Sequence, residues 1–343
     1  MPSATAISAT ARAPRALVTG GSGFLGMAIA RLLRKQGWRV CSLARRPHER
    51  LAEMGVDQVL GSVSDTRTVD QAVQKMDVVF HTAAKAGVWG AEQEYIEANE
   101  IGTRRVIQAC RENGVPRLIH TSSASVVFNG NDIQGADESA PYAQNPGIPY
   151  LRTKIAAEKA VVNAAGGRLQ TLVLRPHLIW GPGDNHLVPR ILARARQLRR
   201  VGDGRNKIDT IYIDNAAAAH LMAADCLARD GRLSGRIYFI SQDEPIRLWD
   251  LVDRILAAGG LPPVKGSVPR SAALAAGGAA EWIYRLFKIK GEPKMTRFVA
   301  HELSCHHWFD ISAAKRDLGY KPRISTDEGL RRLAHWLKAT VHP

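Results

Sequence analysis

The stretch RALVTGGSGFLGMAIARLLRKQ, Arg15 to Gln36, decides the fold. A β-branched, apolar run (RALVT) passes into glycines at Gly20, Gly23 and Gly26, then into apolar residues at helical spacing from Phe24 to Gln36. Glycines in such a turn let backbone approach a pyrophosphate and let the helix pack closely on the strand. The helix N-terminus adds N–H groups and a partial positive charge. The spacing is GxxGxxG rather than GxGxxG, and alone it would fit an ordinary tight turn. The strand before it and the helix after it make it a dinucleotide cradle, in which Phe24 and Leu25 are counted with the glycines.

Downstream the same rhythm continues: WRVCSL, DQVL, a helix at Thr68 to Lys75, DVVFH, a helix at Gln93 to Glu112, and RLIHT. After Tyr150 come a helix to about Ala165, the run LQTLVLRP, a helix from Asn215 to Arg229, and RIYFI. Strand–helix repetition of this kind predicts an α/β fold with a doubly wound parallel (Rossmann) sheet. Residues 15–180, completed by 209–240, are expected to form it, and 181–208 with 241–343, rich in mixed Gly, Pro and helix signals, a smaller substrate-binding lobe. Residues 1–14, rich in Ala, Ser and Thr, read as a disordered tail, with a transit peptide as the alternative.

The 343-residue chain is 45% hydrophobic, enough for a large core, and carries 47 Lys and Arg against 32 Asp and Glu, a formal charge of +15. Arg31–Arg50 and Arg190–Lys207 each hold seven basic residues against one acidic. Such charge favours phosphorylated cofactors, carboxylates or lipid headgroups. Nucleic acid is not expected, because the second segment lacks interleaved aromatics and the first faces the cofactor. Four scattered cysteines without a CxxC pair argue against a disulfide framework or a zinc site and fit a reducing cytoplasm. No metal is expected: His81, His120 and His177 read as structural histidines, and Cys305-His306-His307 lacks partners.

Cofactor preference is read at the end of the second strand, where an acidic residue would bind a ribose 2′-hydroxyl. Here the strand ends Ala44-Arg45-Arg46, with no carboxylate to repel a 2′-phosphate and two guanidinium groups to pair with one. NADP(H) is therefore favoured over NAD(H).

Two Tyr-x-x-x-Lys pairs occur, Tyr150/Lys154 and Tyr284/Lys288. The first follows a cofactor cradle and a strand-end serine, Ser122 or Ser123 in TSSASVV. The second lies in AAEWIYRLFKIK, which reads as an amphipathic helix, either packed in the core or lying on a membrane beside Lys288, Lys290 and Lys294. A lysine four residues after a tyrosine on one helix face favours the phenolate, as does a positive nicotinamide, so Tyr150 is a candidate general acid/base.

GxxGxxG, the strand-end serine and YxxxK in this order resemble the extended short-chain dehydrogenase/reductases, over Ala16 to about Lys338. The resemblance implies Ser123, Tyr150 and Lys154 as the catalytic set, with Lys154 also holding the nicotinamide ribose. It implies cofactor contacts at Ala83, Ala84 and Lys85 of HTAAKAG, at Asn99, and at Pro176 of LRPHLIWGPGD. Ser62-Val63 stands where an adenine-contacting Asp-Val is usual. HTAAKAGVWG, TSSASVVFNG and HWFDISAAKRDLGY look most like the 3β-hydroxysteroid dehydrogenase branch and, within it, bacterial 2-alkyl-3-oxoalkanoate reductases of olefin biosynthesis.

Reduction of a ketone on a lipophilic, carboxylate-bearing substrate is thus expected. Val88, Trp89, Val126, Val127 and Phe128 would form an apolar wall, and Lys85 or Arg190 would meet the carboxylate. The alternatives are a 3β-hydroxysteroid or decarboxylating sterol dehydrogenase, a nucleotide-sugar epimerase or dehydratase, and a non-catalytic NADP-binding sensor. Against the nucleotide-sugar reading, Ile208 stands where such enzymes usually carry an arginine. A homodimer, pathway-enzyme partners and peripheral membrane contact complete the expectations.

Overall fold

The computed structural model describes residues 12–144 and 146–341. Seven strands form one parallel sheet: β1 (Arg15–Thr19), β2 (Arg39–Ala44), β3 (Asp57–Leu60), β4 (Val78–His81), β5 (Arg117–Thr121), β6 (Gln170–Pro176) and β7 (Arg236–Ile240). Their order is β3-β2-β1-β4-β5-β6-β7. Successive residues of a strand point to opposite faces, and both faces are covered. Ala16 and Val18 enter one core with helices Phe24–Lys35 and Ile213–Arg229; Leu17 enters the other with helices Thr66–Val73 and Gly102–Glu112. Strand order reverses between β1 and β4, where Thr19 pairs in register with His81. A crevice at the carboxyl ends of such a pair is where open parallel sheets bind ligands.

The helix expected over Gln93–Glu112 is interrupted. Glu92–Tyr95 is α-helical, Ile96–Ile101 makes a wide π turn, and Gly102–Glu112 resumes the α-helix. Such turns recur beside functional sites.

A second, four-stranded sheet orders Ile246–Arg247, Lys207–Ile208, His307–Phe309 and Ile133–Ala136. Its last strand comes from within 15–180, because Ile133 and Gln134 pair with His307 and Trp308. Of the expected tail, residues 1–11 lie outside the described residues. Residues 12–14 are tied down: Arg12 pairs with Asp77 at 2.7 Å, and the Pro14 carbonyl accepts from the Arg39 N–H at 2.9 Å. Among the described residues no helix is long and apolar enough to cross a membrane.

Candidate active site

At the end of β1 the chain turns through Gly20 at φ +70°, a conformation that favours glycine. A Cβ there would sit 2.9 Å from the Ala83 Cα, and one at Gly26 would overlap the Gly20 carbonyl oxygen. Gly21, outside the expected motif, is needed as well, since a Cβ would overlap the Ser42 side chain. Gly23 caps the following helix with no side chain, and the first turn holds no acidic residue. Its free N–H groups and positive end suit a pyrophosphate.

A cleft of about 360 Å³ runs from Gly20 and Gly23 past Arg45, Ser62 and Val63 to Lys85. Ala83 and Ala84 also line it. Arg46 is exposed and does not line it, so Arg45 alone of the two arginines reaches the cleft. Asn99 is also absent from the wall. It lies behind it, 1% exposed, accepting the Lys85 N–H at 2.7 Å and donating to the Lys85 carbonyl at 3.1 Å and to Thr153 Oγ1 at 3.0 Å. One amide thereby fixes the β4 loop to the helix that carries Tyr150.

The same network continues downward. Thr103 Oγ1 donates to the Asn99 carbonyl at 2.6 Å and lies 2.9 Å from His81 Nε2, while His81 Nδ1 lies 2.7 Å from Thr19 Oγ1. Burial, then the Lys154 charge, holds His81 neutral, its pKa lowered to about 3.

A second cavity, of about 420 Å³, shares Gly20, Gly23 and Ala84 with the first and contains Ser123, Tyr150 and Lys154. Phe24, Leu25, Gly26 and Pro176 line it too. Ser123 follows β5; Tyr150 and Lys154 sit one turn apart on the helix Pro149–Asn163, whose first position is a proline preset for helix. Lys154 Nζ donates to the Thr121 carbonyl at 2.6 Å, and burial lowers its pKa to about 8 against the opposing pull of Glu158.

Tyr150 departs from the expectation of a phenol brought down by Lys154. Burial raises its pKa, the Ser123 hydroxyl lowers it, and the Glu302 carboxylate raises it again. The lysine ammonium is turned toward Thr121 instead. Of the two candidate serines, Ser123 faces the phenol, while Ser122 Oγ is buried with no hydrogen-bond partner. Ser125, which sequence reasoning passed over, lines the cavity. Its N–H donates to Ser123 Oγ at 3.3 Å, and the two hydroxyls are 2.7 Å apart.

Beneath Lys154, Arg175 and Glu158 form a buried pair, 2% and 0% exposed, with N–O distances of 2.6 and 3.2 Å. The Tyr142 hydroxyl donates to the same carboxylate at 2.9 Å. On the far side of the cavity, His177 Nε2 and His307 Nδ1 are 2.6 Å apart, and His307 Nε2 donates to the Glu302 carbonyl at 2.8 Å. Glu302, also missed in the sequence, ends helix Arg297–Glu302 and lines the cavity. Burial raises its pKa to about 7.

An outer chamber of about 790 Å³ adjoins this cavity, with Val88 and Phe298 common to both. Trp89 and Phe128 line it as expected of an apolar wall. Val126 and Val127 do not: at 0% and 5% exposure they are core. Neither basic residue expected near the substrate is free, because Lys85 Nζ pairs with Glu94 at 2.5 Å and Arg190 with Glu292 at 2.7 Å.

The second Tyr-x-x-x-Lys pair is broken by the fold. Helix Arg270–Leu286 ends before Lys288, which sits at φ +48°, while the Tyr284 ring meets Trp89 edge-on at 6.1 Å. One face of that helix is buried through Glu281, which pairs with Arg297 at 2.9 Å; the other leaves Trp282, Ile283, Leu286 and Phe287 exposed.

Comparison with known proteins agrees with this geometry. The model of the 3-beta hydroxysteroid dehydrogenase/isomerase family matches residues 17–269. A 2-alkyl-3-oxoalkanoate reductase of Stenotrophomonas maltophilia is 47% identical over 92% of this chain and 97% of its own. The mouse decarboxylating sterol-4-alpha-carboxylate 3-dehydrogenase is 32% identical over 94% and 90%. The crystal structure of gox2253 superposes with a TM-score of 0.77 at 27% identity, covering 95% and 98%. The chain belongs to the 3-beta hydroxysteroid dehydrogenase/isomerase family, and with it to the NAD(P)-dependent oxidoreductases of the extended short-chain dehydrogenase/reductase type.

Proposed function

We propose that the chain is an NADPH-dependent reductase that converts a 2-alkyl-3-oxoalkanoate to the 3-hydroxy acid. The observation that carries this is the gathering of Ser123, Tyr150 and Lys154 round one cavity, open on one side to a dinucleotide cradle and on the other to a chamber lined by Val88, Trp89 and Phe128. The 47% identity to a reductase of that name supports the substrate class.

The cradle of Gly20, Gly23 and Gly26 would hold the pyrophosphate, Ser62 and Val63 the adenine end, and Lys154 the nicotinamide ribose. Arg45, with no carboxylate at the end of β2, favours the 2′-phosphate of NADPH. NADPH supplies the hydride that adds to the carbonyl carbon. Tyr150, kept protonated by its burial, gives its proton to the carbonyl oxygen as the C=O pair moves onto it. Ser123 donates a hydrogen bond to that oxygen, and the Ser125 N–H on its own oxygen steers the Ser123 proton outward. Lys154, hydrogen-bonded to the Thr121 carbonyl, holds its charge beneath the site.

In this reading 181–208 and 241–343 form the substrate lobe. The exposed Trp282, Leu286 and Phe287, flanked by Lys288 and Lys290, face lipid or a partner enzyme near the chamber mouth, which Glu281 and Arg285 line. The test is NADPH consumption with a 2-alkyl-3-oxo acid, a 3-ketosteroid and a UDP-sugar. Turnover of the oxo acid, lowered roughly 10²–10⁴-fold in Tyr150→Phe with NADPH binding intact, is expected. Unchanged turnover in that variant refutes the mechanism, and turnover of the steroid or sugar alone refutes the substrate.

A further inference from the structure

The substrate proposed above carries a carboxylate next to the reacting carbon, and the basic residues that sequence offered for it are engaged elsewhere. Lys85 is held by Glu94 and Arg190 by Glu292. What the reaction cavity presents instead is a carboxyl group. Glu302 lies in the wall with Ser123, Tyr150 and Lys154, close enough to Tyr150 for its charge to act on the phenol. Its main-chain carbonyl is fixed by His307, yet among the described residues no hydrogen bond or ion pair engages its side chain.

The surroundings offer little else to meet an anion. His177 and His307 are bonded to each other, and burial holds both neutral. Asp184 accepts the N–H groups of His186, Leu187 and Val188. The His186 side chain is exposed at the mouth, and Lys154 donates to the Thr121 carbonyl and, in the proposed reading, to the nicotinamide ribose. On the helix of Glu302 itself, Arg297 is taken by Glu281, and Arg270, at the start of the neighbouring helix Arg270–Leu286, is engaged by His301 and the Gly130 carbonyl.

We propose, resting on the reading of the substrate as a 3-oxo acid, that Glu302 is the residue that recognises its carboxylate, donating a hydrogen bond from the neutral acid so that two carboxyl groups share one proton. Paired carboxyls in a water-poor site behave in this way because both cannot ionise side by side. Burial already raises Glu302 to about 7, and a second negative charge beside it pushes further in the same direction. A ketone without the acid gains nothing from this contact, so Glu302 discriminates between substrates.

The test uses the stable alcohols, a 2-alkyl-3-hydroxyalkanoate and its methyl ester, oxidised with NADP⁺ between pH 6 and 9 by wild type, Glu302→Gln and Glu302→Ala. The readout is the ratio of kcat/KM for acid over ester, which cancels every titration that the two substrates share. In wild type the ratio should fall about tenfold per pH unit once Glu302 ionises. Glu302→Gln, a donor at every pH, should make it flat. Glu302→Ala should lower the acid-over-ester ratio about tenfold at pH 6.

A ratio independent of pH in wild type overturns the proposal, as does a slope that persists in Glu302→Gln. A merely structural role would lower acid and ester together. Failure of wild type to oxidise either compound would refute the proposed substrate itself, and the Glu302 assignment with it. Turnover of both with a flat ratio refutes Glu302 alone.

Discussion

Replacing Lys154 with methionine should make the fold more stable while abolishing turnover. The ammonium is 3% exposed, and its one hydrogen bond goes to the Thr121 carbonyl at 2.6 Å. Burial brings its pKa from the ordinary 10.5 to about 8. Between those values the unfolded chain binds a proton that the folded chain does not, so stability rises with pH across that window. Below it the folded state bears the full cost of a desolvated charge, roughly 3 kcal/mol at ~1.4 kcal/mol per tenfold change. Methionine has nearly the lysine's length and no charge to desolvate, but it leaves the Thr121 carbonyl without its donor, a loss of about 1 kcal/mol. The variant should therefore gain roughly 2 kcal/mol at pH 7. That gain should vanish as pH passes 10. Urea unfolding of both proteins without added nucleotide, at pH 7 and in steps up to 10, measures the difference, in which other titrations cancel. A variant less stable than wild type at pH 7, or a difference that does not change with pH, would refute the reasoning.

Other substitutions test other parts of the site. Glu158→Gln strands Arg175 in a site where both partners are almost fully buried, so a loss of about 3–5 kcal/mol in denaturant stability is expected; Glu158→Gln with Arg175→Met should recover much of it. In Gly26→Ala the new methyl group meets the Gly20 carbonyl, which should weaken NADPH binding in a fluorescence titration well before kcat changes at saturating cofactor. Arg45→Ala should raise KM for NADPH about tenfold and leave that for NADH unchanged, since Arg45 lines the cleft and Arg46 does not.

The parts of this structure written locally were legible. β1 to β7 are short apolar runs whose neighbours in sequence punctuate them, and the glycines at Gly20, Gly23 and Gly26 are forced by contacts within the same turn or with the adjacent loop. Tyr150 and Lys154 share a helix face, so their spacing alone brings them together. Illegible were features made by pieces distant in the chain. Glu302 carries no local signal, and the pairing of His307–Phe309 with Ile133–Ala136 is what brings its helix to the Ser123 side of the cavity. Asn99 has its motif but not its partners: a π turn aims its amide at the Lys85 backbone, which no periodicity announces. Val126 and Val127 look like the wall beside Phe128, yet the short turn that begins at Ala124 rotates them into the core. Tyr284 and Lys288 keep catalytic spacing, but the helix ends between them.

The histidines round the site clarify which groups can change charge at neutral pH. His81 and His220 lie in hydrogen-bonded, fully buried positions with pKa lowered to about 3 and 4, and His120, packed 5.2 Å from His81, is pushed well below its ordinary value. Burial is the first cause in each, and the Lys154 charge adds to it for His81 and His120. These rings are fixed neutral scaffolding; protonating one would set a second cation against the lysine. Arg175 and Glu158 are closed on each other. Lys154, near 8, and Glu302, near 7, are cavity groups whose charge changes between pH 6 and 9. They act on different things. In the proposed reading Lys154 holds the nicotinamide ribose, so its titration would belong to every substrate. Glu302 would meet the substrate's carboxylate, so its titration would belong only to one that brings that group. A single pH profile would blend the two, and only paired substrates that differ in that group separate the charge that drives the chemistry from the charge that selects the molecule.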